Sequence, residues 1–402
     1  VSYDVEFDPF SETFFDDPYE TYRHLRDHEP VYFCERYGFY ALSRYADVIA
    51  AHQDNERFVS SYGVTVDGLM EHRRLDTNIL IIMDPPEHDR QRKLVSQAFT
   101  RRAVEGLEPL VARVIHGYLD QLADRERFDV VADFAALFPV EVISAMLGVP
   151  EDDRQQIRHW TDEFLYRRPG NPKATQEGMT ASLDMAGYFL DLARQKRAKP
   201  DDLIISRLID ATITDDDGTE RKLTDEDVAS FSVVIAAAGS ETVTKLIGNG
   251  VVLFDAHRDQ WRAIADDPSA IPGAVEEILR YQPPSQYQGR FAVTDVDFDG
   301  GTIPAGSPTL LLTGAATRDP RVFDRADEFD ISRGGHTTLA FGYGAHSCLG
   351  AWLARLESRI AFEEISRRWP DFAVDASGLR RVTMSNVAGY SAVPIEVPRR
   401  AA

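Results

Sequence analysis

The sequence predicts a mainly α-helical protein with small β-sheets, organised as one domain over residues 1–402. Three observations carry that prediction. Apolar residues recur with helical period along most of the chain, and strand-like runs are short and scattered. A hydrophobic share of 43% in 402 residues supplies a large core. No linker rich in proline, glycine or serine divides the elements and no repeat recurs, while the residues that read as chemically active run from Asp84 to Gly350 and must converge on one site.

Forty-four lysines and arginines against 66 aspartates and glutamates give a formal net charge of −22. Such an acidic chain is a poor partner for nucleic acid or an anionic membrane surface. Two basic runs stand out against it: Arg90, Arg92, Lys93, Arg101 and Arg102, then Arg355 with Arg359. They read equally as solvated faces or as a docking patch for an acidic electron donor. Cys34 and Cys348 lie far apart and give no disulfide framework. No stretch approaches about 18 consecutive apolar residues, and Val1 to Tyr19 is acidic and aromatic, unlike a signal peptide. A cytoplasmic protein without a membrane anchor is expected.

Val31 to Cys34 and Phe39 to Leu42 read as a hairpin with Cys34 in the core. Leu69 to Ile82 ends in an apolar run, as a loop over a pocket or as buried chain. Asp84-Pro85-Pro86-Glu87 reads as a helix start, with Asp84 capping and Glu87 completing a capping box. His88 and Arg92 then share a face at i,i+4. Val104, Leu107, Val111, Ile115, Tyr118 and Leu122 predict one long core helix, and Phe134 to Leu147 a helical run interrupted at Pro139. A helix ending near Tyr166, an irregular loop and a helix over Ser182 to Arg197 follow.

Thr224 has N-cap spacing ahead of Asp225, Glu226 and Asp227. The helix it opens runs to about Phe254, and roughly thirty residues give a rod of about 45 Å. Small residues at Ala236 to Gly239 let a flat cofactor or another helix approach. Glu241 and Thr242 place an acid and a hydroxyl in this buried helix, either packed beside water or acting in chemistry. Pro272 to Gln282 predicts a short helix in which Glu277 and Arg280 can pair at i,i+3. Val296 to Thr313 reads as short strands and turns, and Ser391 to Val397 as a final hairpin whose tip, led by Asn386, enters the pocket.

The most informative stretch is Phe341-Gly342-Tyr343-Gly344-Ala345-His346-Ser347-Cys348-Leu349-Gly350, ahead of a helix over Ala351 to Arg368. Its glycines permit positive φ and close approach of backbone to a flat ligand. Near a helix start, free N–H groups and the dipole favour a thiolate at Cys348. A thiolate fixed in a tight, partly apolar loop suits an axial haem ligand. A buried structural cysteine is the plainer alternative. Structural zinc is excluded, because His346 and Cys348 lack a second cysteine pair.

Phe341-Gly342-x-Gly344-x-His346-x-Cys348-x-Gly350 resembles, at every fixed position, the haem-binding signature of the cytochrome P-450 monooxygenases. Weaker motifs follow that family's order along nearly the whole chain. The resemblance implies the cytochrome P-450 fold around a buried haem b, with Cys348 as the metal ligand. It implies that Phe341 and Gly342 pack beside the haem, that His88, Arg92, Arg290 and His346 hold its propionates, and that Ala238 and Gly239 lie over its other face. Thr242 would hydrogen-bond dioxygen, and Glu241 would relay protons from solvent. Glu277, Arg280 and Arg333 resemble the structural network behind the haem, and the helix pair around Tyr166 the lid of the substrate entrance. Two positions depart from the family: Ser285 replaces an apolar residue, which implies a polar group on the substrate, and Thr317 replaces a common asparagine.

The implied protein is a soluble, bacterial-type haem-thiolate monooxygenase. It would insert one oxygen atom into a lipophilic small molecule, using electrons from a ferredoxin and an NAD(P)H ferredoxin reductase. A peroxide-driven peroxygenase and a haem sensor without turnover are the alternatives, and the Glu241–Thr242 pair speaks against both.

Overall fold

The structure is a computed structural model describing residues 6–214, 218–334 and 338–398; Val1 to Val5 of the acidic N-terminal stretch lie outside the described residues. The expected hairpin forms, β1 (Val31–Cys34) pairing antiparallel with β2 (Phe39–Leu42). Cys34 is buried, and its thiol donates to the Phe7 carbonyl at 3.6 Å. Three further strands, β3 (Phe58–Val59), β4 (Gln288–Ala292) and β5 (Ser307–Leu311), complete a sheet of order β1-β2-β5-β4-β3. β5 runs parallel to β2 and antiparallel to β4, so the sheet ties the N-terminal hairpin to the strand carrying Arg290.

Helices make up most of the rest, with small differences at their ends that have local causes. After α1 (Tyr45–Gln53), α2 (Glu87–Ser96) begins at Glu87 with Pro86 in the cap position and no side-chain cap. The expected Asp84 cap is absent because that carboxylate instead accepts the Ser60 backbone N–H at 2.6 Å. The single long helix expected from Val104 to Leu122 is two helices. Arg101–Glu105 stops at Gly106, and α3 (Glu108–Asp120) restarts with Pro109, which suits a first turn because its missing N–H costs nothing there. Pro139 likewise opens α4 (Phe138–Leu147) rather than interrupting a helix, after a π turn over Val131–Ala135. Gly148 closes α4 at φ 89°, a left-handed cap that costs glycine little.

α5 (Arg154–Leu165) and α6 (Gln176–Ala198) form the expected helix pair; α6 starts at Gln176 rather than Ser182 because Thr175 caps it through the Gly178 N–H. The central α7 (Asp225–Ala256) has 32 residues and the full capping box: Thr224 Oγ1 accepts the Asp227 N–H, and the Asp227 carboxylate accepts the Thr224 N–H. Its apolar window is 67% buried, and it packs against α4, α5, α6, α8 (Ile271–Tyr281) and α9 (Ala351–Arg368).

Behind α9 lies a buried ionic network. Arg280 grips Glu277 through two 2.8 Å bonds, both side chains 3% exposed. The same guanidinium donates to the carbonyls of Thr317, Ala326 and Glu328, and Arg333 reaches Glu277 at 3.3 Å. A buried charge pair is stable only when its remaining donors are also satisfied, as they are here. Thr317 bonds back to the Thr313 carbonyl at 3.0 Å and serves this segment structurally. The final hairpin differs from expectation. Tyr390–Ala392 pairs with Arg380–Arg381, whereas Pro394–Glu396 joins Ala373–Val374 and Arg127–Asp129 in a separate sheet. Val393 is drawn there by Asp129, which accepts its N–H at 3.0 Å.

Candidate active site

The cysteine loop is shaped by its glycines. Gly342 and Gly344 have φ of +67° and +71°, and a Cβ on Gly344 would lie 2.6 Å from the His52 carbonyl. The Cys348 N–H donates to the Phe341 carbonyl at 2.7 Å and closes the loop, while the Arg355 guanidinium lies 4.5 Å over the Phe341 ring. Cys348 lines a cavity of about 370 Å³, and the exposure of its side chain is to this cavity rather than to bulk solvent. Burial pushes the thiol up, and the Gly350 N–H, Arg92 and Arg355 oppose that without outweighing it. A metal would take the proton's place, because thiolate ligation releases it.

One rim of the cavity gathers cationic and imidazole groups. The His88 and His346 rings meet at a tilt of 39°, with centroids 4.1 Å apart. His88 Nδ1 meets Asp89 at 3.0 Å, but its buried Nε2 has no partner among the described residues. Arg92 donates to the Ser347 carbonyl at 2.6 Å, and Arg290 to the Gly289 carbonyl at 2.7 Å. His52, which sequence reasoning missed, completes the group. It is 2% exposed, with Gln288 as its polar neighbour and no well-aligned partner on either ring nitrogen. A lone histidine on a short helix carries no local signal of this placement.

Burial dominates the electrostatics of this rim. Burial, then Arg290, pushes His52 down to about 3. Burial followed by Arg290, His88 and Arg92 drives His346 far below its usual range. Arg290 is pushed down to about 10 by burial despite Asp84. Arg92 and Arg290 beside these imidazoles suit carboxylates, which pair with guanidinium groups and accept from ring N–H groups. A flat ligand with a metal for Cys348 and two carboxylates along one edge therefore fits the residues present, and haem b has that constitution.

Across the cavity stands the middle of α7, with Ala238, Gly239 and Thr242 on the wall. Gly239 also serves packing, since a Cβ there would lie 2.8 Å from Ile143 of α4. Thr242 Oγ1 bonds back to the Ala238 carbonyl at 3.1 Å. Glu241 is the one expected site residue that does not line the cavity. It turns away to ion-pair with Lys245 at 2.7 Å, the side chains 2% and 4% exposed. Asp162 of α5 bonds to Glu241 and also accepts from Arg158 at 3.0 Å. Burial, then the Glu241 charge, pushes Asp162 up to about 8. Burial opposes charge on Glu241 as well, but Lys245 and Asp162 outweigh it and keep its pKa low. The Glu241 charge thus disfavours a second charge on Asp162.

Glu357 of α9 was also missed. It is fully buried at the cavity wall, with Oε1 unpartnered among the described residues, and burial alone pushes it well above the usual carboxylate range. Much of the remaining wall is apolar, including Leu80, Phe231 and Ile235. The basic runs are less free than the sequence suggested. Arg355 pairs with Glu276, Arg359 with Glu108 and Glu363, and Arg101 with Glu105, whereas exposed Arg102 makes no ion pair among the described residues.

A thiol, a rim of arginines and imidazoles and a small-residue helix surround one cavity, an arrangement suited to haem-thiolate ligation. The family model for cytochrome P450 matches residues 19–260 and 269–370, and the chain belongs to that family. It is therefore an oxidoreductase with haem b as cofactor, held in this family through a cysteine thiolate. It is 38% identical over 391 residues to cytochrome P450 130 of Mycobacterium tuberculosis, covering 95% of each chain. It is 37% identical over 406 residues to vitamin D(3) 25-hydroxylase of Pseudonocardia autotrophica, covering 98% of this chain and 97% of the relative. Among solved structures, CYP109E1 of Bacillus megaterium in complex with testosterone matches with a TM-score of 0.86 at 31% identity, over 95% of this chain and 98% of that one. P450BioI in complex with an acyl carrier protein ligated to hexadec-9Z-enoic acid matches with a TM-score of 0.86 at 32% identity, over 97% and 100%.

Proposed function

We propose that the chain works as a single domain in the cytoplasm, oxidising a neutral lipophilic small molecule with electrons from a ferredoxin and its NAD(P)H reductase. The observation that carries this reading is the convergence of Cys348, His88, Arg92, Arg290 and His346 on one cavity from separate parts of the sequence. Haem b, when bound, supplies the activation of dioxygen. Cys348 would ligate its iron; Arg92 and Arg290 would neutralise its propionates beside His88, His346 and His52; Phe341, Gly342, Ala238 and Gly239 would shape the space around it. Lipophilic substrate chemistry is supported by the apolar wall and by the vitamin D(3) and testosterone named for similar proteins.

Proton supply falls to α7. Asp162 stores a proton at neutral pH and can pass it to Glu241, which adjoins Thr242 in sequence. Thr242 presents its hydroxyl to the cavity while donating to Ala238. Because Glu241 faces Lys245, delivery requires its side chain to swing toward the cavity. A peroxide-driven reading gains from the same orientation, since peroxide brings its own protons. Comparing product formed with hydrogen peroxide alone and with ferredoxin plus reductase separates the two.

The reading is tested by the absorption of reduced protein under carbon monoxide. The red-shifted thiolate band is expected in the native chain and lost in Cys348→Ala. A variant that keeps the band would assign the ligand elsewhere.

A further inference from the structure

One corner of the cavity wall is polar. Ser285, Gln288 and Asn386 all line it, brought together by β4, the residues before it and the C-terminal segment that bridges Ser285 to Val387. Ser285 Oγ accepts a hydrogen bond from Gln288 Nε2 at 2.9 Å and faces Asn386 Nδ2 at 3.5 Å. Both amides are fixed from behind. Gln288 Oε1 accepts the Thr313 hydroxyl at 2.5 Å, and Asn386 Nδ2 donates to the Tyr287 carbonyl at 3.1 Å. A serine oxygen has two lone pairs and one hydrogen. With amide N–H groups turned toward its lone pairs, Ser285 has its hydroxyl hydrogen left over, on a residue that lines the cavity.

We infer that Ser285 is a specificity-determining hydrogen-bond donor, and that the substrate is a neutral lipophile bearing an acceptor oxygen, as in a ketone or alcohol. The inference rests on the haem-thiolate reading and deepens it. An ionic substrate is disfavoured by the rest of the wall. Arg92, Arg290 and the histidines form the propionate rim, burial disfavours charge on Glu357, and Glu241 is turned away against Lys245. A cavity-wall donor that a bound ligand covers without offering an acceptor costs free energy, so an oxygenated ligand gains at this corner where its parent hydrocarbon does not.

The test is a titration of ferric holoenzyme with cyclododecanone, cyclododecanol and cyclododecane, followed by haem absorption and, on the same samples, by calorimetry. In Ser285→Ala the ketone-to-hydrocarbon affinity ratio should fall roughly three- to tenfold, the loss of one neutral hydrogen bond, with hydrocarbon binding unchanged. Ser285→Thr, which keeps the hydroxyl, should retain the native ratio. An unchanged ratio in Ser285→Ala overturns the proposal, as does an equal loss for all three probes. Failure of the oxygenated probes to bind native protein up to their solubility limits overturns it too. Native protein lacking the thiolate–haem band would instead sink the functional reading, and calorimetry would still read the ratio.

Discussion

Thr242 and Glu241 are neighbours in sequence with opposite surroundings. Thr242 faces the cavity and spends its hydrogen on the Ala238 carbonyl, an i−4 back-bond that holds its oxygen in place. Glu241 is sealed behind the helix with Lys245. The hydroxyl is thus the group in position to govern proton transfer at the cavity. Thr242→Ala should leave haem content intact and divert roughly several-fold more electrons from product into peroxide or water. Product formed per NAD(P)H consumed measures this. Unchanged coupling would reduce Thr242 to packing.

At the scale of elements, α5 and α7 meet at the carboxyl pair of Asp162 and Glu241. Asp162 is pushed from 3.8 up to about 8, so the folded protein keeps a proton that the unfolded chain releases. Unfolding then releases that proton, and the stability contributed by this group falls as pH rises from about 4 to about 8, then levels off. The Asp162 side chain is 34% exposed, so solvent screening makes the slope shallower than for a dry pair. Asp162→Asn should flatten that limb, read as thermal midpoints of both proteins across this range. Parallel curves for the two proteins would mean that no proton is held there.

At the scale of the whole molecule, a net charge of −22 repels an acidic electron donor over most of the surface. The face outside the cysteine loop is an exception. Trp352 is 44% exposed there, with the Arg101 guanidinium 5.4 Å from its ring and that of Arg355 at 5.5 Å. Since Arg355 and Arg359 are ion-paired, reversing them would unpair Glu276, Glu108 and Glu363 and confuse docking with stability. Exposed Arg102, which makes no ion pair among the described residues, is the cleaner probe. Reversing it to glutamate should slow iron reduction by a ferredoxin roughly severalfold at low salt, with the difference shrinking as ionic strength rises. Equal stopped-flow rates at low salt would place docking elsewhere.

The sequence by itself determined whatever depends on local spacing. The helical periods, the Thr224 capping box, the Glu277–Arg280 pair and the glycine-spaced cysteine loop needed no knowledge of distant residues, because neighbours along a helix or tight loop are neighbours in space. Helix boundaries were less legible where a residue had two possible employments. Asp84 could cap α2 or bind Ser60, and Pro109 and Pro139 could break a helix or begin one. What only the tertiary structure decided is which way polar groups face and what they meet. Glu241 occupies the position that the resemblance implied, yet Lys245 and Asp162 draw it off the cavity. His52 reaches the rim of arginines and imidazoles, and Glu357 and the Ser285 corner reach the cavity wall, through packing between remote segments. A buried polar side chain takes its role from its partners, and those partners are set by the fold rather than by the residues beside it in sequence.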